Sequence, residues 1–315
     1  MIGRGPLRAG ISPFGAALWD LRLDGVGQSL VLGFASNADY IASRTHAGAV
    51  IGRVCNRLRG ARAMIAGREL RLQANRGSHQ IHGGTTGFSQ QVWRVLNHDA
   101  DRLELGLHSP DGHEGYPGAL AVRATYSVEH ASLRLDLLAQ SKAATIVNLC
   151  HHPYFMLPGT AGSRGHRLWV DATHALAVNP DGYPTGALDP VAMFAGAVAP
   201  GPKPGAIPKG LDRTFVLATK TRDSPVRVAV LAAGLRMEIW TTQPALHVYD
   251  GGKIQPGVRL RDGRTTGPFA GVALEAQGWT DAPNHPTFPA IDLPAGTDYR
   301  QTTIYSFSDL SGPRP

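Results

Sequence analysis

The chain has 315 residues, of which 43% are hydrophobic and 17% charged, enough apolar material for a sizeable core and unlike a disordered or low-complexity chain. Its formal charge of +7 raises the question of nucleic acid, but the basic residues are scattered and from Arg53 to Arg71 alternate with apolar ones, as on solvated strand faces, so no nucleic-acid partner is expected. No apolar run approaches the ~18 residues of a membrane span, no apolar segment follows the basic N-terminus, and two cysteines, Cys55 and Cys150, are too few for a disulfide framework; cytoplasmic residence with no membrane contact is the expectation.

In chain order, short alternating runs recur and long helical periodicity does not. Arg102–His108, Leu120–Val128 and Leu133–Leu138 each place apolar side chains at period two, which predicts half-buried strands. Val226–Leu231 and Leu235–Trp240 follow, separated by Ala232-Ala233-Gly234 in a hairpin-like arrangement. Between these runs, 38 Gly and 23 Pro supply the frequent turns that an all-β sandwich or barrel needs. The segment from Ala197 to Lys209, rich in Pro, Gly and Ala, reads as a surface loop. There is no internal repeat and no long linker. The prediction is one large antiparallel β domain over residues 1–315.

Within that framework three strings carry chemistry. They are Gln80-Ile81-His82-Gly83-Gly84, then Asn148-Leu149-Cys150-His151-His152-Pro153-Tyr154-Phe155, then Ala273-Leu274-Glu275-Ala276-Gln277. Imidazole and carboxylate are the usual partners for moving protons near neutral pH. Glu275 sits in an apolar run, where a lone carboxylate is costly to bury unless it has a partner. His151 and His152 are adjacent, so on a strand they face opposite ways and only one can enter a given pocket. His82 before Gly-Gly reads, taken alone, as an ordinary turn residue. Cys55 and Cys150 read as small buried apolar residues, and no spacing supports a metal site.

The strings also have a family order. Gly52-Arg53-Val54-Cys55-Asn56-Arg57-Leu58 resembles G-R-x-x-N-R-I, and Asp111-Gly112-His113-Glu114-Gly115-Tyr116-Pro117-Gly118 resembles D-G-E-E-G-Y-P-G. Asn148 to Phe155 resembles N-x-T-N-H-x-Y-F, with Leu211-Asp212-Arg213-Thr214-Phe215, Thr242 to Tyr249 and Leu274 to Gln277 following in register. From Phe14 to Phe307 the chain is similar to the aldose 1-epimerase (galactose mutarotase) family, which implies a β-supersandwich, a small-molecule monosaccharide partner, no cofactor and no metal. By resemblance Glu275 is the base, His152 the acid at the ring oxygen, and His82 a neighbour that hydrogen-bonds the sugar oxygens. Arg57 and Asp212 resemble residues that reach sugar hydroxyls, Tyr154 and Trp279 offer either stacking faces or core packing, and Asn75, Gln243 and Tyr249 are expected to shape the cleft. Glu114 and Tyr116 read as loop structure. The chain departs from the pattern at His151, where relatives carry Asn. The resemblance allows monomers or homodimers. Two other readings stay open: an isomerase of a phosphorylated, acidic or deoxy sugar, and a sugar-binding homologue without activity.

Overall fold

The computed structural model describes residues 1–65, 67–191 and 204–310. Among them the period-two runs become one nine-stranded antiparallel sheet, in the order Gly205–Ala206, Arg167–Val170, Val226–Ala232, Arg236–Thr241, Asp298–Ser308, Ser132–Ser141, Leu120–Glu129, Arg102–Ser109 and Arg94–His98. The five runs read from the sequence are strands of this sheet, and the Ala232–Gly234 segment turns between two of them with Ala232 opposite Arg236. Of the loop expected from Ala197 to Lys209, residues 197–203 lie outside the described residues. The remainder corrects the reading, because Gly205–Ala206 pairs with Arg167–Leu168 at the sheet edge.

A second, six-stranded sheet runs in the order Tyr154–Phe155, Val272–Gln277, Ala245–Tyr249, Asp212–Val216, His174–Val178 and Pro184–Pro190. The two sheets pack face to face. Tyr126, Leu133, Leu135, Met237, Ile239 and Tyr305 of the larger sheet share one core with Phe155, Val272, Leu274, Leu246, Val248 and Phe215 of the smaller. Fully burying a side chain of this size is worth about 1.5–3 kcal/mol, so alternation sends one face of each strand into the sandwich. A three-stranded sheet, Ile2–Arg4, Leu7–Ser12 and Ala17–Leu23, contributes Leu7, Leu18 and Leu21 to the same core. The expected all-β sandwich is the fold. Its one α-helix among the described residues is Asn37–Ala42, and no helix there is long and apolar enough to cross a membrane.

This packing leaves the other face of the six-stranded sheet. Directly opposed residues on antiparallel strands share a face, and the register sets Thr214 opposite His247, and His247 opposite Glu275. One pleat repeat further along, Asp212, Tyr249, Ala273 and Tyr154 form a second row on that same face. These two rows are the floor of a cleft.

Candidate active site

The cleft has a volume of about 440 Å³ and is lined by His46, His82, His152, His247, Asp212 and Glu275. Glu275 is 2% exposed. Its Oε1 lies 3.2 Å from His152 Nε2, and its Oε2 accepts the Cys150 thiol at 3.4 Å. A buried carboxylate in an apolar strand thus has partners on both oxygens, as the cost of burying an unpaired charge requires.

His152 follows the short strand Cys150–His151, which pairs with Val50–Ile51. Its backbone N–H donates to Ala49 at 2.9 Å, while its Nδ1 is buried with no hydrogen-bond partner among the described residues. His151 faces the opposite way, as adjacent strand residues must. It sits inside the sandwich against Tyr305 Oη at 3.1 Å, the Gly48 carbonyl at 3.1 Å and Tyr126 Oη at 3.2 Å. Burial lowers its imidazole to about 3, with the Gly48 contact opposing and His152 adding to the shift. His151 therefore stays neutral, a fully bonded core group.

His82 is set by backbone conformation. It has φ 53°, followed by Gly83 at 79° and Gly84 at 101°. A Cβ on Gly83 would lie 1.9 Å from the Gly52 carbonyl oxygen, so only glycine lets the two chains approach there. Asn75 locks this turn from one side, accepting the Ile81 N–H at 2.8 Å and donating to the Ile81 carbonyl at 2.9 Å. Glu114 braces it from the other by accepting the Thr86 N–H at 2.6 Å, and Tyr116 bonds Gln80, in keeping with a structural loop. The Asn56 N–H donates to His82 Nδ1 at 3.3 Å. Burial, then the neighbouring imidazoles of His46 and His152, hold His82 well below its usual range. A neutral ring that accepts at Nδ1 carries its proton on Nε2.

The rings of His82 and His152 lie 5.4 Å apart, centroid to centroid, and His46 lies 4.8 Å from His82 and 6.4 Å from His152. Ser89 Oγ is 2.9 Å from His46 Nδ1, and burial followed by the charges of His152 and Arg44 lowers His46 to about 3. On the floor, Asp212 bonds Arg57 Nη2 at 2.7 Å and His247 Nε2 at 3.1 Å. Burial alone would raise Asp212, but His247 and Arg57 together hold its carboxyl well below the usual carboxylate range. His247 Nδ1 is in turn 2.9 Å from Thr214 Oγ1. Tyr154 packs its ring 5.0 Å from that of His152.

The structure thus brings Glu275, His152, His82, Arg57, Asp212, Asn75, Tyr154 and Tyr249 to one cleft. Gln243 is a correction. It lies in the turn after Arg236–Thr241, and instead lines a separate groove of about 820 Å³ with Asn148 and Trp279, one that contains no histidine. Pro244 is the cause: it cannot donate to a sheet ladder, so the strand begins at Ala245 and the side-chain alternation does not reach back to Gln243. Trp279 is a core residue, its ring 5.0 Å from Phe288 and its Nε1 donating to the Ala218 carbonyl at 3.0 Å. His46, His247 and Asn56 were missed. Alternation with Tyr249 was the available signal for His247; nothing in the sequence marked His46. Among the described residues no cluster of three or more His, Cys, Asp or Glu side chains has the geometry to hold a metal.

With this geometry in hand, comparison with known proteins is informative. The family model for aldose 1-epimerase matches residues 2–306. The galactose mutarotase of Homo sapiens is 34% identical, covering 96% of this chain and 91% of its own length. The aldose 1-epimerase of Escherichia coli (strain K12) is 30% identical, covering 93% and 90%. Among solved structures, the GalM/aldose epimerase homologue from C. elegans superposes with a TM-score of 0.88 at 25% identity over 98% of each chain. Galactose 1-epimerase from Lactobacillus acidophilus NCFM gives 0.83 at 26%, over 98% of this chain and 92% of its own.

Proposed function

The chain belongs to the aldose 1-epimerase family of isomerases, and on that premise we propose that it opens and recloses the ring of a free aldose as one β domain, with Glu275 as base and His152 as acid. In the forward step Glu275 removes the proton of the anomeric hydroxyl while His152 protonates the ring oxygen. The bond between the anomeric carbon and the ring oxygen breaks, leaving an open-chain aldehyde. Rotation about the adjoining carbon–carbon bond presents the other carbonyl face. Reclosure reverses both transfers, which regenerates the enzyme with no net change in its protons.

One observation carries this reading. The two oxygens that exchange protons are bonded to the same carbon, so acid and base must stand side by side, and His152 Nε2 and Glu275 Oε1 are 3.2 Å apart. Their contact also gives a path by which the proton taken by one returns to the other. His82, neutral with its Nε2–H as the free donor, suits hydrogen bonding to the substrate oxygens. The Arg57–Asp212–His247 chain offers fixed donors and acceptors to sugar hydroxyls, and the Tyr154 ring offers an apolar face.

The test is polarimetry or proton NMR on freshly dissolved α anomers of galactose, glucose and arabinose. Equilibration well above the buffer rate, lost in Glu275→Gln, is expected; wild-type rates in both Glu275→Gln and His152→Ala would end the proposal. A second reading, an aldose bearing an acidic group, is favoured by one feature. Arg44, Arg76 and Lys253 also line the cleft, and none has a carboxylate within 4 Å among the described residues. Uronic acids and hexose phosphates assayed beside the neutral sugars separate the two readings.

A further inference from the structure

Both cysteines lie beneath the carboxylate rather than elsewhere in the core. Cys150 is wholly buried and Cys55 is 1% exposed. The Cys150 thiol donates to Glu275 Oε2 at 3.4 Å, and the Cys55 thiol to Gln277 Oε1 at 3.5 Å. Burial raises both thiols, so each keeps its proton and remains a donor. Around them are Ala17, Ala49 and Ile51, which hydrogen-bond neither carboxylate oxygen through their side chains.

A carboxylate free to rotate about its last bond presents either oxygen to its neighbours. Here Oε1 meets His152 and Oε2 meets a thiol, an arrangement that fixes the plane of the group. The short strand Cys150–His151 that leads into His152 supplies that thiol two residues earlier, with His151 anchoring the intervening position to the Tyr126 and Tyr305 hydroxyls. One three-residue stretch therefore sets the spacing of acid and base. We propose that Cys150 is a positioning residue for Glu275: its S–H holds Oε2, so that Oε1 stays aligned with His152 and the substrate, while Cys55 packs behind it. The inference rests on Glu275 acting as the base.

A purely packing role predicts something different. If Cys150 only fills space, Ala and Ser at this position differ little, or Ser is worse because it buries a hydroxyl. If the S–H matters, Cys150→Ser restores what Cys150→Ala loses. The experiment measures kcat and KM for both variants by polarimetry with α-galactose across pH, with thermal unfolding recorded to confirm that each is folded. Loss of a hydrogen bond to a charged group, discounted for a weak thiol donor, predicts a fall in kcat of about tenfold in Cys150→Ala with KM unchanged. The acid limb of its kcat profile moves to higher pH, since a donor to the charged carboxylate has gone. Cys150→Ser is expected within about threefold of the parent, with its profile unmoved, because a hydroxyl also donates. Equal impairment of a folded Ala and a folded Ser variant, or a loss confined to KM, would overturn the inference. So would wild-type kinetics in Cys150→Ala. If Glu275→Gln itself keeps full activity, the base assignment fails first and this inference goes with it; if Glu275→Gln is inactive and Cys150→Ala is not, only this inference falls.

Discussion

Glu275→Gln exchanges one oxygen for an NH2 group in a side chain that is 2% exposed, so it removes the capacity to take a proton while leaving volume and packing almost untouched. Losing a positioned general base costs roughly 10²–10⁴ in rate, or about 2.7–5.5 kcal/mol of barrier at 1.36 kcal/mol per decade. His152→Ala, by the same reasoning, removes the proposed acid. The two side chains are in direct contact at 3.2 Å, and groups that act as one unit give strongly non-additive losses. The double variant is therefore expected to fall no more than about tenfold below the slower single variant. Independent action would instead multiply the losses, to on the order of 10⁴–10⁸. The assay is polarimetric equilibration of freshly dissolved α-galactose at fixed pH, with unfolding curves for all four proteins to confirm comparable folding. Multiplicative losses in folded variants would refute the idea that a shared proton couples the pair.

Stability should depend on pH through buried imidazoles. His46 and His151 are held near 3 in the fold but titrate near 6.5 when unfolded, so below pH 6.5 the unfolded chain binds more protons. The stability is present in full above about pH 6.5 and falls as pH drops toward 3, by up to about 1.4 kcal/mol per pH unit for each histidine. Urea unfolding at pH 7.5, 6 and 5 checks this, and a flat profile would contradict it. Asp212→Asn weakens the bonds to Arg57 and His247, and a KM rise of about 10- to 100-fold with a smaller change in kcat is expected from hydrogen bonds to charged groups; an unchanged KM argues against a substrate role. Gly83→Ala forces a Cβ against the Gly52 carbonyl at a residue with φ 79°. It should cost about 1–3 kcal/mol and slow turnover by displacing His82, so a variant unchanged in both melting temperature and rate would contradict that account.

The larger sheet was legible because its strands are long and half-exposed. Leu120–Glu129 and Ser132–Ser141 bury alternate residues, and that pattern is written directly in their sequence. The smaller sheet was less legible because Val272–Gln277 is buried on both faces. An all-buried strand shows no alternation, so the residues alone did not say that Glu275 faces a cleft; its chemistry and its family resemblance did. The His151–His152 pair was legible in part, since strand geometry required opposite faces but could not choose between them. His247 shares its face with Tyr249 two residues on, but nothing in the strand's own sequence says that this face meets a cleft. Gln243, expected at the cleft from the family resemblance, lies elsewhere because the strand begins at Ala245 after Pro244, and the alternation that puts Tyr249 in the cleft does not reach back to it.

The two-faced floor of the cleft divides tolerance to change by parity. On Ala245–Tyr249 and Val272–Gln277 the even positions 246, 248, 272, 274 and 276 enter the sandwich core, whereas the cleft-lining positions 247, 249 and 275 are odd. A library that randomises the odd positions 247 and 249 while keeping Glu275 explores substrate preference on an unchanged scaffold, and one that randomises even positions mostly samples unfolded chains. Deleting or inserting a single residue in either strand exchanges the two sets, placing a carboxylate in oil and leucines against sugar. New specificities in this chain are therefore reachable by substitution far more readily than by changes in strand length.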